Sequence, residues 1–132
     1  MTSPFAIIFD LDGTLVDSLS DITAALNDAL EAHGFGRAEV QQVRGWVGDG
    51  VPMLCRRAAP AADEATLEFM RQTFLNAYDR CCLNTSRLYP KIREILNELH
   101  DLGVPMAVLS NKPDAFTRRI VDALCGAGLF QV

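Results

Sequence analysis

The sequence has no apolar stretch approaching the ~18 residues that a membrane-spanning helix needs. Its first residues, Met1-Thr2-Ser3-Pro4, have neither the basic nor the apolar region of a signal peptide. It also has no Lys/Arg run. Its 12 basic residues are outnumbered by 17 acidic ones, for a formal charge of −5, which argues against a nucleic-acid surface. Arg56-Arg57 and Arg118-Arg119 are isolated pairs that read as solvated helix faces. The four cysteines, Cys55, Cys81, Cys82 and Cys125, form no CxxC and no zinc spacing. Adjacent Cys81 and Cys82 make a poor disulfide pair, so reduced thiols in a cytoplasmic protein are expected. No repeat or low-complexity segment appears. What remains is 132 residues, 49% hydrophobic and 22% charged. That is ordinary for a soluble globular chain with a real core, either one domain or one domain with an insert.

Two short apolar runs stand out against a mostly helical background. Phe5-Ala6-Ile7-Ile8-Phe9 is rich in β-branched and aromatic residues and stops at Asp10, so it reads as a buried strand. Val104 to Leu109 reads as a second, ending at Ser110-Asn111-Lys112-Pro113, with Pro105 restricting ladder bonds near its start. A helix expected from about Pro90 to His100, bearing Ile92, Ile95, Leu96 and Leu99, joins them as a parallel crossover requires. Another is expected from about Pro113 to Cys125, and Leu129-Phe130-Gln131-Val132 looks like the start of a third strand. Between the first strand and the crossover lie about seventy residues with helical periodicity, too long for a loop. Ile22, Ala25, Leu26, Ala29 and Leu30 share one face of a helix from Ser18 to His33. Leu67, Met70, Phe74, Leu75 and Tyr78 share another, from Asp63 to Cys81. Nothing from Val16 to Ser86 reads as a strand. The expected fold class is α/β: a Rossmann-like parallel sheet core over 1–15 and 87–132, with an α-helical cap inserted over 16–86.

The chemistry gathers where these strands end. Asp10 and Asp12 stand two residues apart at a strand tip before Gly13. Paired carboxylates are costly there without a cation, which points to Mg²⁺. Ligands of open α/β sheets lie beyond the carboxyl ends of the strands. Asp10 is the candidate nucleophile: a carboxylate can attack a phosphoryl group and split hydrolysis into two steps, with a divalent cation offsetting the repulsion between anions. Asp12, on the same side if the chain stays extended, is the candidate general acid/base. Ser110 and Asn111, with the N–H groups before the next helix, suit a phosphate oxygen; the plainer alternative is that they only cap that helix. His33 and His100 sit near helix ends, where a histidine favours the helix dipole. Trp46 either stacks on a ligand or anchors its loop. Asp17 and Ser18 either cap the following helix or tune a hinge.

The order Asp-Leu-Asp-Gly-Thr-Leu-Val-Asp-Ser at 10–18, a helical insert, a crossover helix and a strand ending in Ser-Asn-Lys-Pro at 110–113 resembles the haloacid dehalogenase-like superfamily. Within it, the chain is similar to the phosphoglycolate phosphatase group. Trp46-Val47-Gly48-Asp49-Gly50, with arginines soon after, resembles that group's cap signature. The resemblance implies Asp10 as nucleophile and Mg²⁺ ligand, and Asp12 as general acid/base lending its backbone carbonyl to the metal. It implies Ser110 and Asn111 as phosphoryl-binding, with Gly48, Asp49, Gly50 and Arg56 facing substrate from the cap. Members of the group continue further and supply a phosphate-binding lysine and an acidic Gly-Asp motif; Lys112 does not stand where that lysine does. The chain therefore matches about the first three fifths of the pattern, and is expected to be a fragment or truncated product. The implied substrate is a small phosphorylated metabolite, 2-phosphoglycolate above all. The alternatives are a pyrophosphatase or sugar-phosphate mutase on the same scaffold, or a chain without catalysis of its own. The oligomeric state is left open.

Overall fold

The computed structural model describes residues 3–131. Its elements, in chain order, are β1 (Ile7–Phe9), β2 (Val16–Asp17), α1 (Leu19–Ala32), α2 (Val40–Arg44), α3 (Val51–Ala58), α4 (Glu64–Cys81), β3 (Arg87–Leu88), α5 (Ile92–Asp101), β4 (Met106–Val108) and α6 (Asp114–Cys125). They divide into two compact units. One comprises Met1–Asp17 with Arg87–Val132, and the other Ser18–Ser86.

The α/β unit is built on β1 and β4, which pair in parallel with Ile7 opposite Met106, Ile8 opposite Ala107 and Phe9 opposite Val108. The parallel pairing follows from the crossover through α5, whose Leu96 is buried. Ile95 of the same helix is exposed, because a helix crossing so small a sheet has one covered row rather than a broad stripe. The sheet itself is half-covered. Ile8 is 67% exposed and Leu109 71%, so the buried strand expected at residues 5–9 is corrected. A parallel strand is buried only where elements cover both of its faces, and among the described residues nothing covers that one.

Two expectations about strands also change. Val16 and Asp17 form β2, which pairs antiparallel with β3, Val16 opposite Leu88 and Asp17 opposite Arg87. This two-residue ladder stands where the chain leaves and re-enters the α/β unit, so strand does occur within 16–86. At 129–131 no strand forms among the described residues. Gln131 N–H reaches the Met106 carbonyl at 2.7 Å, but Gly126 and Gly128 hold positive φ and keep the chain turning; Val132 lies outside the described residues.

The helical unit has the denser core. α1 packs along α4, burying Ile22, Ala25, Leu26, Ala29 and Leu30 from one side and Leu67, Met70, Phe74 and Tyr78 from the other. Each large side chain withdrawn from water contributes about 1.5–3 kcal/mol. Phe74 and Tyr78 stack with ring centroids 5.4 Å apart. Asp63 caps α4 by accepting from Thr66 N–H at 2.8 Å. Ser18 stands at the N-cap of α1 without a side-chain capping bond.

Two buried polar residues organise this unit. Asn27 exchanges two hydrogen bonds with the backbone of Ala38, donating to its carbonyl at 3.1 Å and accepting from its N–H at 2.7 Å. That pins the segment after α1 against the helix. Asp21, 3% exposed, receives Thr85 N–H at 2.9 Å, Thr85 hydroxyl at 2.7 Å, Ser86 N–H at 2.8 Å and Ser86 hydroxyl at 2.7 Å. The start of α1 is thereby fastened to the last residues of the unit. No helix among the described residues is long and apolar enough to cross a membrane.

Candidate active site

β1 ends at Phe9 and β4 at Val108, and the ladder is closed by Leu109 N–H donating to the Phe9 carbonyl at 2.8 Å. Asp10 and Leu109 are thus the first residues past the paired triplets, with Ser110 one further. The nucleophile candidate and the phosphoryl-binding candidate leave the same end of adjacent strands. Asp10 is exposed, and its Oδ1 accepts the Leu11 N–H at 2.8 Å.

The chain does not stay extended beyond this point. The Leu11 carbonyl accepts from Thr14, Leu15 and Val16 N–H at 3.2, 3.0 and 3.1 Å, and Gly13 N–H donates to the Val16 carbonyl at 3.0 Å. Gly13 takes φ +81, a conformation that a side chain disfavours. Leu11 and Leu15 are fully buried beneath this turn. The turn, not alternation along a strand, therefore aims Asp12. It carries Asp12 to Lys112, whose Nζ lies 3.3 Å from Asp12 Oδ1. Both side chains are largely withdrawn from water, Lys112 at 6% exposure and Asp12 at 14%. Lys112 N–H also donates to Ser110 Oγ at 3.1 Å, so Ser110 and Asp12 are each bonded to the same residue. Asn111 is exposed beside them. Lys112 is the residue that joins the two strand ends.

The remaining candidates belong to the helical unit. Gly48, with φ +132, and Gly50, with φ +89 at the N-cap of α3, shape a turn that ordinary side chains disfavour. Asp49 pairs with Arg57 at 2.5 Å, and Arg57 also donates to the Trp46 carbonyl at 3.0 Å. Arg57, not Arg56, braces this loop. Arg56 pairs with Glu64 at 2.6 Å on the surface. The signal that could have separated them is helical phase: Arg57 falls on the side of α3 facing the preceding loop. His33 accepts or donates one bond with Thr73 Oγ1 at 3.1 Å and stacks on Phe69, a structural role.

Competing nucleophiles are few. Burial pushes the Cys55 thiol up to about 11, with Glu68 adding to the rise and Arg71 opposing it. Burial also raises Cys81 and Cys125. Thiols with raised pKa are poor nucleophiles at neutral pH.

For a divalent cation the α/β unit offers the exposed Asp10 carboxylate and the main-chain carbonyl of Asp12. No cluster of three acidic, His or Cys side chains occurs among the described residues. Hard oxygen donors of this kind fit Mg²⁺, which keeps several waters and binds through one or two carboxylates plus substrate phosphate. A cavity of about 280 Å³ opens beside the same strand end, bordered by Ser110, Lys112, Thr117, Arg118 and Phe130.

Residues 7–132 match the family described as haloacid dehalogenase-like hydrolase. The chain is 42% identical over 127 residues to a phosphoglycolate phosphatase of Pseudomonas fluorescens strain Pf-5, covering 92% of this chain and 46% of that protein. It is 36% identical to a phosphoglycolate phosphatase of Haemophilus influenzae, covering 98% of this chain and 60% of the other. Among solved structures, a predicted phosphoglycolate phosphatase from Haemophilus somnus superimposes with a TM-score of 0.90 at 33% identity, over 98% of this chain and 61% of that one. The chain spans about half the length of the first of these relatives and about three fifths of the others.

Proposed function

Because the chain belongs to the haloacid dehalogenase-like hydrolase family, we propose that it carries the nucleophile half of a Mg²⁺-dependent phosphomonoesterase. Its substrate is a small phosphorylated metabolite, 2-phosphoglycolate being the first choice. An Asp10 carboxylate oxygen bonds to phosphorus while the ester oxygen leaves with a proton from Asp12. Asp12 then takes a proton from water, whose oxygen attacks phosphorus. The Asp10 carboxylate is regenerated and inorganic phosphate departs. Ser110 and Asn111 hold the phosphoryl oxygens through both steps. Asp10 and the Asp12 carbonyl hold Mg²⁺. The metal, when bound, screens the repulsion between carboxylate and phosphate. The helical unit acts as a cap, with Gly48, Asp49, Gly50 and Arg56 toward substrate. We place the protein in the cytoplasm as part of the same reading, its four cysteines forming no disulfide among the described residues.

The observation that supports this most is the parallel pairing of β1 with β4, which sends Asp10 and Ser110 off one end of the sheet. The phosphoglycolate phosphatases at 36–42% identity support the substrate class. The test is phosphate release from a panel of monoesters with Mg²⁺. Release that is lost in Asp10→Asn and on EDTA addition upholds the proposal. Release that survives Asp10→Asn refutes it. A second reading, a chain without catalysis of its own, is favoured by the exposed apolar residues Phe5, Ile8 and Leu109; it predicts no release from any ester.

A further inference from the structure

We propose that Lys112 is a positioning residue for the general acid/base: it holds the Asp12 carboxylate in place through its ammonium and the Ser110 hydroxyl through its backbone N–H. The inference rests on the phosphatase reading above and deepens it. Lysine normally keeps its ammonium in water while burying only its stem. The chain has two lysines, and Lys91 behaves that way, being exposed. Lys112 does not: its side chain is 6% exposed and its Nζ is 3.3 Å from Asp12 Oδ1. A buried ammonium is costly unless it is paired, so the lysine and the carboxylate fix one another. The main chain of Lys112 is fastened independently. Its N–H donates to Ser110 Oγ at 3.1 Å and its carbonyl accepts from Thr117 Oγ1 at 3.4 Å, tying it to the first turn of α6.

The consequence is specific to one half-reaction. As the Asp10–phosphorus bond forms and the phosphorus–ester oxygen bond breaks, the departing oxygen takes its proton from Asp12. With Nζ facing Oδ1, the proton rides on Oδ2, and a carboxyl held at one position delivers it; one free to rotate on a Gly13 turn does so less often. Proton donation matters for a poor leaving group such as an alkoxide and little for p-nitrophenolate. Loss of Lys112 should therefore discriminate between esters, whereas loss of a phosphate-binding cation would weaken both alike.

The test compares wild type, Lys112→Met, which keeps the length but not the charge, and Lys112→Arg, which keeps the charge. The substrates are 2-phosphoglycolate and p-nitrophenyl phosphate with Mg²⁺. Because kcat/KM reports the steps through ester cleavage, Lys112→Met is expected to lower it by more than about ten-fold on the alkyl ester and less than about three-fold on the aryl ester, a part of the ~10²–10⁴ that acid–base catalysis supplies. Lys112→Arg recovers most of the loss. Equal losses on both esters overturn the inference and make Lys112 a phosphate ligand. A second measurement needs no turnover. Competitive acetylation read by peptide mass should modify Lys112 at least about ten-fold more slowly than Lys91 in the wild type, the protection expected of a paired, buried ammonium, and faster in Asp12→Ala. Equal labelling of the two lysines, unchanged in Asp12→Ala, overturns it as well. If the wild type releases no phosphate from either ester, the phosphatase reading falls and the positioning role with it, even with Lys112 protected. If the wild type is active and the ester pattern fails, the positioning role alone falls.

Discussion

Asp21 offers a quantitative test of how the helical unit is closed. Its carboxylate accepts from four donors, the N–H and hydroxyl groups of Thr85 and Ser86, at 2.7–2.9 Å. Truncation to alanine leaves the buried Ser86 amide and the part-buried Thr85 amide without their acceptor, whereas the two hydroxyls can rotate to new partners. The buried orphaned amide costs about 1–3 kcal/mol and the part-buried one less, so Asp21→Ala should lose about 2–3 kcal/mol, a large share of the stability of a small domain. Asp21→Asn should behave differently. Its carbonyl can replace the oxygen facing both amides and the Ser86 hydroxyl, while its NH₂ donates to Thr85 Oγ1 after that hydroxyl turns. Only the charge is lost, and the cost should be about 1–2 kcal/mol. Urea unfolding followed by far-UV circular dichroism measures both. Burial raises the Asp21 pKa, but the bonds from Thr85 and Ser86 together outweigh it and hold the carboxyl below its ordinary range. A carboxylate depressed in the folded state adds stability above its unfolded pKa and loses it as pH falls through the folded value. Wild type should therefore lose stability below about pH 4, and Asp21→Asn should lack that part of the loss. A cost under about 1 kcal/mol for Asp21→Ala, smaller than one buried bond to a charged group, would refute the clamp.

Three further outcomes are expected. Asn27→Asp removes the donor to the Ala38 carbonyl and sets a carboxylate against it, so urea unfolding should show a loss of about 2–3 kcal/mol, with Asn27→Ser intermediate. Arg57→Ala should speed hydrogen exchange of the 46–50 amides, because Arg57 holds the Trp46 carbonyl and Asp49; Arg56→Ala, which breaks only a surface pair with Glu64, should leave it unchanged. Ile8→Thr and Leu109→Thr remove exposed apolar groups from the sheet, so binding of a hydrophobic dye should fall while stability stays within about 0.5 kcal/mol, as for surface substitutions generally.

Much of this was legible because helices announce themselves by periodicity. The faces of α1 and α4 are the residues that the 3.6-residue spacing selects, and every α1 residue so chosen is buried. The two apolar runs located β1 and β4 and, through the crossover, their parallel sense. What escaped was short or polar. A two-residue ladder such as β2 with β3 has no period to detect. Asp21 and Asn27 sit on the buried side of α1 among its apolar residues, and only their partners at 85–86 and 38, distant in sequence, give them meaning. At the site, spacing located Asp10 but reached Asp12 through an alternation that ends at Phe9. Its true setting depends on a turn around the Leu11 carbonyl and on a lysine a hundred residues away. β1 is less buried than its residues suggest, because apolar content reports what a strand is suited to meet, not what covers it.

In the proposed reaction the phosphoryl group passes to Asp10. The direct measurement is peptide mass analysis of the chain quenched in acid after incubation with Mg²⁺ and p-nitrophenyl phosphate, whose leaving group needs little proton donation, in wild type and in Asp12→Ala, where the second step is blocked. One phosphoryl group is expected on the peptide bearing Asp10, released by hydroxylamine and more abundant in Asp12→Ala. Phosphorylation at any other residue, or none in either protein, contradicts it.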